Sequence, residues 1–142
     1  MDERAPGRLG DRLEGVTVTG HRLAVRVRSV RDPADDAFAA EGIGVPDRQR
    51  SLIVASEFTN RGRAPYAAPP DLGLVVIDEY DVRHGRAVAT LTAYPRFRHA
   101  AVGPGDTVAG HTYFVLPRGV SLRAVLWSAR PEPVEDVLRW EL

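Results

Sequence analysis

The chain has 142 residues and a mass of 15.5 kDa, with 44% apolar and 27% charged residues, the composition of one globular domain. Nineteen Arg and no Lys balance 19 acids, so the net charge is zero and nucleic acid is not an expected partner. The absence of Lys excludes a Schiff-base lysine and a Walker-type phosphate loop, and the absence of Cys excludes disulfides, thiol catalysis and thiolate metal sites.

Residues 1–14 are polar, rich in Arg and Gly, and contain no apolar core of a signal peptide, so they read as a flexible lead-in to a domain over 15–142. From Gly15 the pattern becomes short and alternating. Val16 and Val18 alternate with Thr17 and Thr19, and after Gly20-His21 the residues Leu23, Val25, Val27 and Ser29 alternate with Ala24, Arg26, Arg28 and Val30. Period two with β-branched residues predicts strands with one buried face and an Arg-bearing face in water.

Over residues 31–50, Asp32-Pro33 followed by Asp35 and Asp36 predicts the start of a short helix: an acidic cap, Pro at the first position and acids in the first turn. Ala34, Ala37 and Phe38 share one side of it, and Gly42 stands where it would stop. Leu52, Val54, Ser56 and Phe58 face one way on the next strand, which ends at Asn60-Arg61-Gly62. Residues 61–71 carry three prolines and cross the surface without regular structure. A strand over Leu72–Val82 is expected to turn at His84-Gly85 into a second strand, Arg86–Tyr94. Gly103-Pro104-Gly105-Asp106 fits a type II turn. Alternation over Thr107–Leu116, a turn at Pro117-Arg118-Gly119, a strand over Leu122–Ser128 and a terminal strand with Leu138, Trp140 and Leu142 on one face complete the chain. The prediction is an all-β, antiparallel immunoglobulin-like β-sandwich of seven to eight strands, with at most one short helix in the 31–50 connection. Aliphatic runs such as Leu74–Ile77 are too short to cross a bilayer, so no direct membrane insertion is expected.

Three stretches carry a resemblance: GVTVTGHRLAVRVRSV (Gly15–Val30), SLIVASEFTN (Ser51–Asn60) and VGPGDTVAGHTYFVLPRGV (Val102–Val120). They resemble the bacterial telokin-like, immunoglobulin-like extracellular domains, a family of unknown function found on lipoproteins and secreted proteins. Asp106 stands where the family usually has Glu, and Leu116 where Val is common. The resemblance implies a location outside the cytoplasm, in the cell envelope or secreted, often behind a lipid anchor or a membrane helix. Residues 1–14 contain neither, and a cytoplasmic relative is the alternative.

Motifs that could carry chemistry are sparse. Pro104, Gly105 and Asp106 read as turn and strand-start scaffold, and Gly110 as a place of close packing. Asp106 and His111 point to opposite faces of one strand and cannot join in a Ser–His–Asp arrangement. His21, His84, His99 and His111 show no metal-ligand spacing, and Asp32, Asp35 and Asp36 lack the pattern of a calcium loop. No metal, cofactor or catalytic residue is predicted. Asp78, Glu79 and Asp81 read as a solvated face beside Arg83 and Arg86, and a partner for the stripe Arg22, Arg26 and Arg28. Tyr94, Arg96, Phe97, Arg98 and His99 interleave aromatic and basic groups, the composition of binding hot spots, and are the predicted contact surface. The function expected is a non-catalytic interaction domain binding a protein or cell-envelope component. The alternative is a small enzyme or small-molecule-binding protein, with a pocket between the sheets or under the 31–50 loop and Phe38, Ile43 and Val45 as a lid.

Overall fold

The structure, a computed structural model, describes residues 5–16, 20–128 and 137–142. Thr17, Val18 and Thr19, predicted to continue the first strand, lie outside the described residues. One sheet has the order β1 (Gly7–Arg8), β9 (Leu138–Glu141), β8 (Leu122–Trp127), β5 (Leu74–Asp78), β6 (Arg83–His84); the other has β2 (Arg12–Val16), β3 (Arg22–Arg31), β4 (Gln49–Asn60), β7 (Thr107–Pro117). Pairing is antiparallel throughout except between β1 and β9. The described strands therefore make an open two-layer β-sandwich, with one short helix, α1 (Asp35–Ala40), inside the 31–50 connection as expected.

Alternation puts Leu23, Val25 and Val27 of β3, Leu52, Val54 and Phe58 of β4, and Phe114 and Leu116 of β7 against Val76, Val125, Trp127, Leu138 and Trp140 of the facing sheet. The outer face of β4 and β7 is buried as well. Ile53 and Tyr113, paired across these strands, are covered by Ala34 and Phe38 from the start of α1 and by Leu91. Phe38 meets the Tyr113 ring edge-on with centroids 5.9 Å apart. That third layer explains why β4 is buried without interruption from Arg50 to Val54, whereas from Ala55 to Asn60 it is buried at every second residue.

Several elements differ from the sequence-based expectation. The described part of the lead-in is docked: β1 extends one sheet, β2 the other, and the Trp140 indole donates to the Asp11 carbonyl at 3.0 Å. The predicted strand from Leu72 begins with a 3-10 turn, Pro70–Gly73, and ends at Asp78. The hairpin turns at 79–82 and not at His84-Gly85, because the Asp78 carboxylate accepts from the Tyr80 and Val82 amides and from the His84 imidazole. Arg86–Tyr94 is not a strand. It leaves the first sheet and runs irregularly along β7, with the Ala87 amide donating to the Tyr113 carbonyl and the Leu91 amide to the Tyr113 hydroxyl. Leu142 is exposed, unlike Leu138 and Trp140.

Candidate functional site

The predicted contact segment is divided by the fold. Phe97 packs edge-on against Phe58 at 5.5 Å and lies over Gly110, where an added Cβ would come within 2.9 Å of its ring. Gly110 is the close-packing position, and Phe97 a wedge at the edge of the core. Tyr94 packs with the outer layer, its hydroxyl accepts from Arg31 at 2.7 Å, and its carbonyl accepts from the Tyr113 hydroxyl. Arg96 is half-buried and reaches the Ala89 carbonyl. Only Arg98 and His99 of the five residues are exposed.

The acids singled out from the sequence hold loops. Arg50, 8% exposed, is bidentate to Asp32 at 2.7 and 3.2 Å and donates to the carbonyls of Pro117 and Val120. Asp32 therefore pairs and does not cap α1. Asp35 accepts from the Ser51 amide and hydroxyl, both at 2.7 Å, and from Arg118 at 2.6 Å. Burial raises the Asp35 carboxyl, but these donors outweigh it and hold the group below the ordinary Asp range. Asp78 is held low first by His84 and then, against desolvation, by the Val82 and Tyr80 amides. Asp71, 3% exposed, accepts from the Thr112 hydroxyl at 2.8 Å and from Arg86 at 3.2 Å, a polar stitch between the sheets. The Arg stripe pairs within its own sheet, Arg22 with Glu14 and Arg26 with Glu57, and not with Asp78–Asp81. The His111 imidazole donates to the Pro95 carbonyl at 2.9 Å and takes no part in a triad with Asp106. Among the described residues no three His, Asp or Glu are grouped to hold a metal ion. The space beneath the 31–50 connection is filled by Phe38, Ile43 and Val45 packed with Ile53, Leu91 and Tyr113, so the expected lid covers side chains.

An open cleft of about 400 Å³ lies instead at the end of the sandwich where β3 begins and β4 ends, lined by Gly20, His21, Arg22, Arg61, Gly62, Arg63 and Ala64. Asn60, 1% exposed, builds its wall. Its amide NH2 donates to the carbonyls of Ala64 and Val102, and its amide oxygen accepts from the Gly62 N–H at 2.8 Å. The Arg61 amide donates to the Arg22 carbonyl, and Tyr66 and Val102 exchange backbone hydrogen bonds. The loop that displays Arg61 and Arg63 is thus fixed at both sides. The turn after it is as predicted: Asp106 N–H donates to the Gly103 carbonyl, and Gly105 adopts φ +79°, which a type II turn requires. His21 donates to the Pro65 carbonyl at 3.0 Å and meets the Tyr66 ring edge-on. Arg22 is paired with Glu14 at 2.8 Å, whereas Arg61 and Arg63 meet no carboxylate among the described residues. The sequence marks Asn60, Arg61 and Gly62 only as a turn and gives Arg63 no role; the Asn-Arg-Gly-Arg run is the available signal.

MPT63, a secreted protein from Mycobacterium tuberculosis, is similar in structure over 100% of both chains, with a TM-score of 0.71 and 15% sequence identity. An uncharacterized β-sandwich protein from Clostridium difficile 630 is similar over 100% of this chain and 97% of its own, with a TM-score of 0.57 and 7% identity. At such identities the likeness is one of fold. No protein-family model matches the chain, and no curated protein matches it in sequence.

Proposed function

We propose that the chain is a non-catalytic recognition module of the immunoglobulin-like, telokin-like kind, acting outside the cytoplasm on a protein or an envelope component. The observation that carries this reading is the division of labour among polar side chains. Asp32, Asp35, Asp71 and Asp78 are all committed to holding loops or sheets, while Arg61 and Arg63, which meet no carboxylate among the described residues, stand exposed on a loop that Asn60 holds at one end. A general acid or base needs a proton-transfer partner in reach of substrate, and these acids face the protein's own donors. The similarity in fold to a secreted protein and the Val102–Val120 stretch support the extracytoplasmic part of the reading. Within the Tyr94–His99 segment, Arg98 and His99 are the residues offered to a partner, since Tyr94 and Phe97 are engaged in packing. The test is fractionation of native cells followed by binding of the purified protein to isolated envelope. Recovery in the envelope or medium, with saturable binding, is the expected result. Confinement to the cytosol, or binding that does not saturate, overturns the reading.

A further inference from the structure

We propose that the cleft between Arg22, Arg61 and Arg63 binds a small phosphate monoester, the phosphate held by the guanidinium groups and the rest of the ligand lying over Gly20, Gly62 and Ala64. The inference rests on the recognition reading and names the ligand class of one of its sites. Three arginines line the cleft; the Arg22 guanidinium is paired with Glu14, and Arg61 and Arg63 are exposed and meet no carboxylate among the described residues, which leaves two positive charges for a ligand. A phosphate monoester carries about −1.5 to −2 charges at neutral pH and presents three acceptor oxygens, which matches that remainder. Planar guanidinium forks bind such oxygens in pairs and never lose their proton. Asp106, at the same end, turns its carboxylate over Gly103 and does not line the cleft.

Shape agrees with charge. The cleft's volume of about 400 Å³ exceeds what a bare phosphate fills and falls within the roughly 300–1,000 Å³ of small-molecule sites. Its glycine and alanine floor lets a ligand approach the backbone. Asn60 fixes the loop through three hydrogen bonds before any ligand arrives, which lowers the ordering cost of binding.

Calorimetric titration at fixed ionic strength with sodium phosphate, glycerol 3-phosphate and dimethyl phosphate tests the site. Saturable binding of the first two is expected, with the singly charged diester at least tenfold weaker. Tighter binding of glycerol 3-phosphate than of phosphate identifies a carried phosphate, and the reverse order overturns the monoester assignment in favour of the free ion. Arg61→Gln with Arg63→Gln should weaken glycerol 3-phosphate at least tenfold, while Arg83→Gln, at the opposite end, leaves it unchanged. Arg63→Lys, which keeps the charge but loses the planar fork, should weaken binding less than the double variant does, and an unchanged denaturant midpoint of the double variant excludes a folding defect. Binding within twofold of the parent in the double variant, or no saturation, overturns the site. If the protein still binds envelope in that case, the site falls and the recognition reading stands.

Discussion

At the Pro117 end of the sandwich Arg50, Arg118, Arg123 and His84 each meet a carboxylate, whereas at the Asn60 end Arg61, Arg63 and Arg98 meet none among the described residues. The ends of β3, β4 and β7 contribute to both, though through different connections, and hydrogen bonds hold the loops at each. They differ in what does the holding. At the first end the ties are charged, and they consume the charge of those groups; at the second Arg22 is likewise paired with Glu14, but the 61–64 loop is held by the neutral amide of Asn60, and its cations remain available. A net charge of zero is a sum over the chain, and it conceals this separation.

The comparison can be broken most severely at Arg50. Arg50→Ala strands Asp32 and removes a donor from the Pro117 and Val120 carbonyls, and breaking a buried pair in this way costs about 3–5 kcal/mol, read as a fall in the denaturant midpoint. At the other end Asn60→Ala leaves the Gly62 amide without its acceptor and takes the Asn60 donor from the Ala64 and Val102 carbonyls, of which Val102 keeps the Tyr66 amide. A loss of about 1–3 kcal/mol is expected by the same measurement, with weaker phosphate binding as a second consequence. Acid should separate the ends without mutation. Asp35 and Asp78 are held below their unfolded values, so the stability they confer is complete above the ordinary carboxylate range and is lost as pH falls through their folded values. Stability should therefore stay level down to about pH 4 and then decline, with amide exchange rising first in α1 and the 79–82 turn. Earlier exchange of the Asn60 loop would contradict the assignment of charged ties to the Pro117 end. The smallest effect is expected for Arg61→Gln with Arg63→Gln, exposed residues outside any tie, whose removal should alter stability by less than about 0.5 kcal/mol.

Much of the sandwich was legible because burial on one face imposes period two. Leu23, Val25 and Val27, or Leu138 and Trp140, announce their strands without any tertiary knowledge. Ile53 and Tyr113 lie on the opposite face from Leu52 and Phe114, and the layer that buries them comes from distant loops with no period of their own. Arg86–Tyr94 failed for the same reason: its alternation is real, yet its partner along β7 includes the Tyr113 hydroxyl, a side chain and not a ladder. The hairpin was misplaced because Asp78 makes the turn with its carboxylate, and His84-Gly85 imitates a turn that the backbone does not make. As for the contact segment, an aromatic flanked by Arg reads identically whether the ring faces solvent or fills the space left by a glycine on the neighbouring strand. Gly110 decided the case for Phe97. The cleft escaped because it joins Arg22 to Arg61 and Arg63, which the sequence separates and the Arg61–Arg22 backbone bond brings together.

The parallel pairing of β1 with β9 bears on how the chain is made. Gly7 lies beside Trp140 and Arg8 beside Glu141, so β1 cannot pair until β9, far later in the chain, has been synthesised. β2, β3 and β4 follow one another along the chain and can pair early, whereas β8 keeps an edge of unpaired backbone groups until residues 138–141 are synthesised. A bare edge of that kind is a template for pairing with other chains. Residues Leu138–Glu141 thus close the sheet and end the interval in which a nascent molecule is open to aggregation.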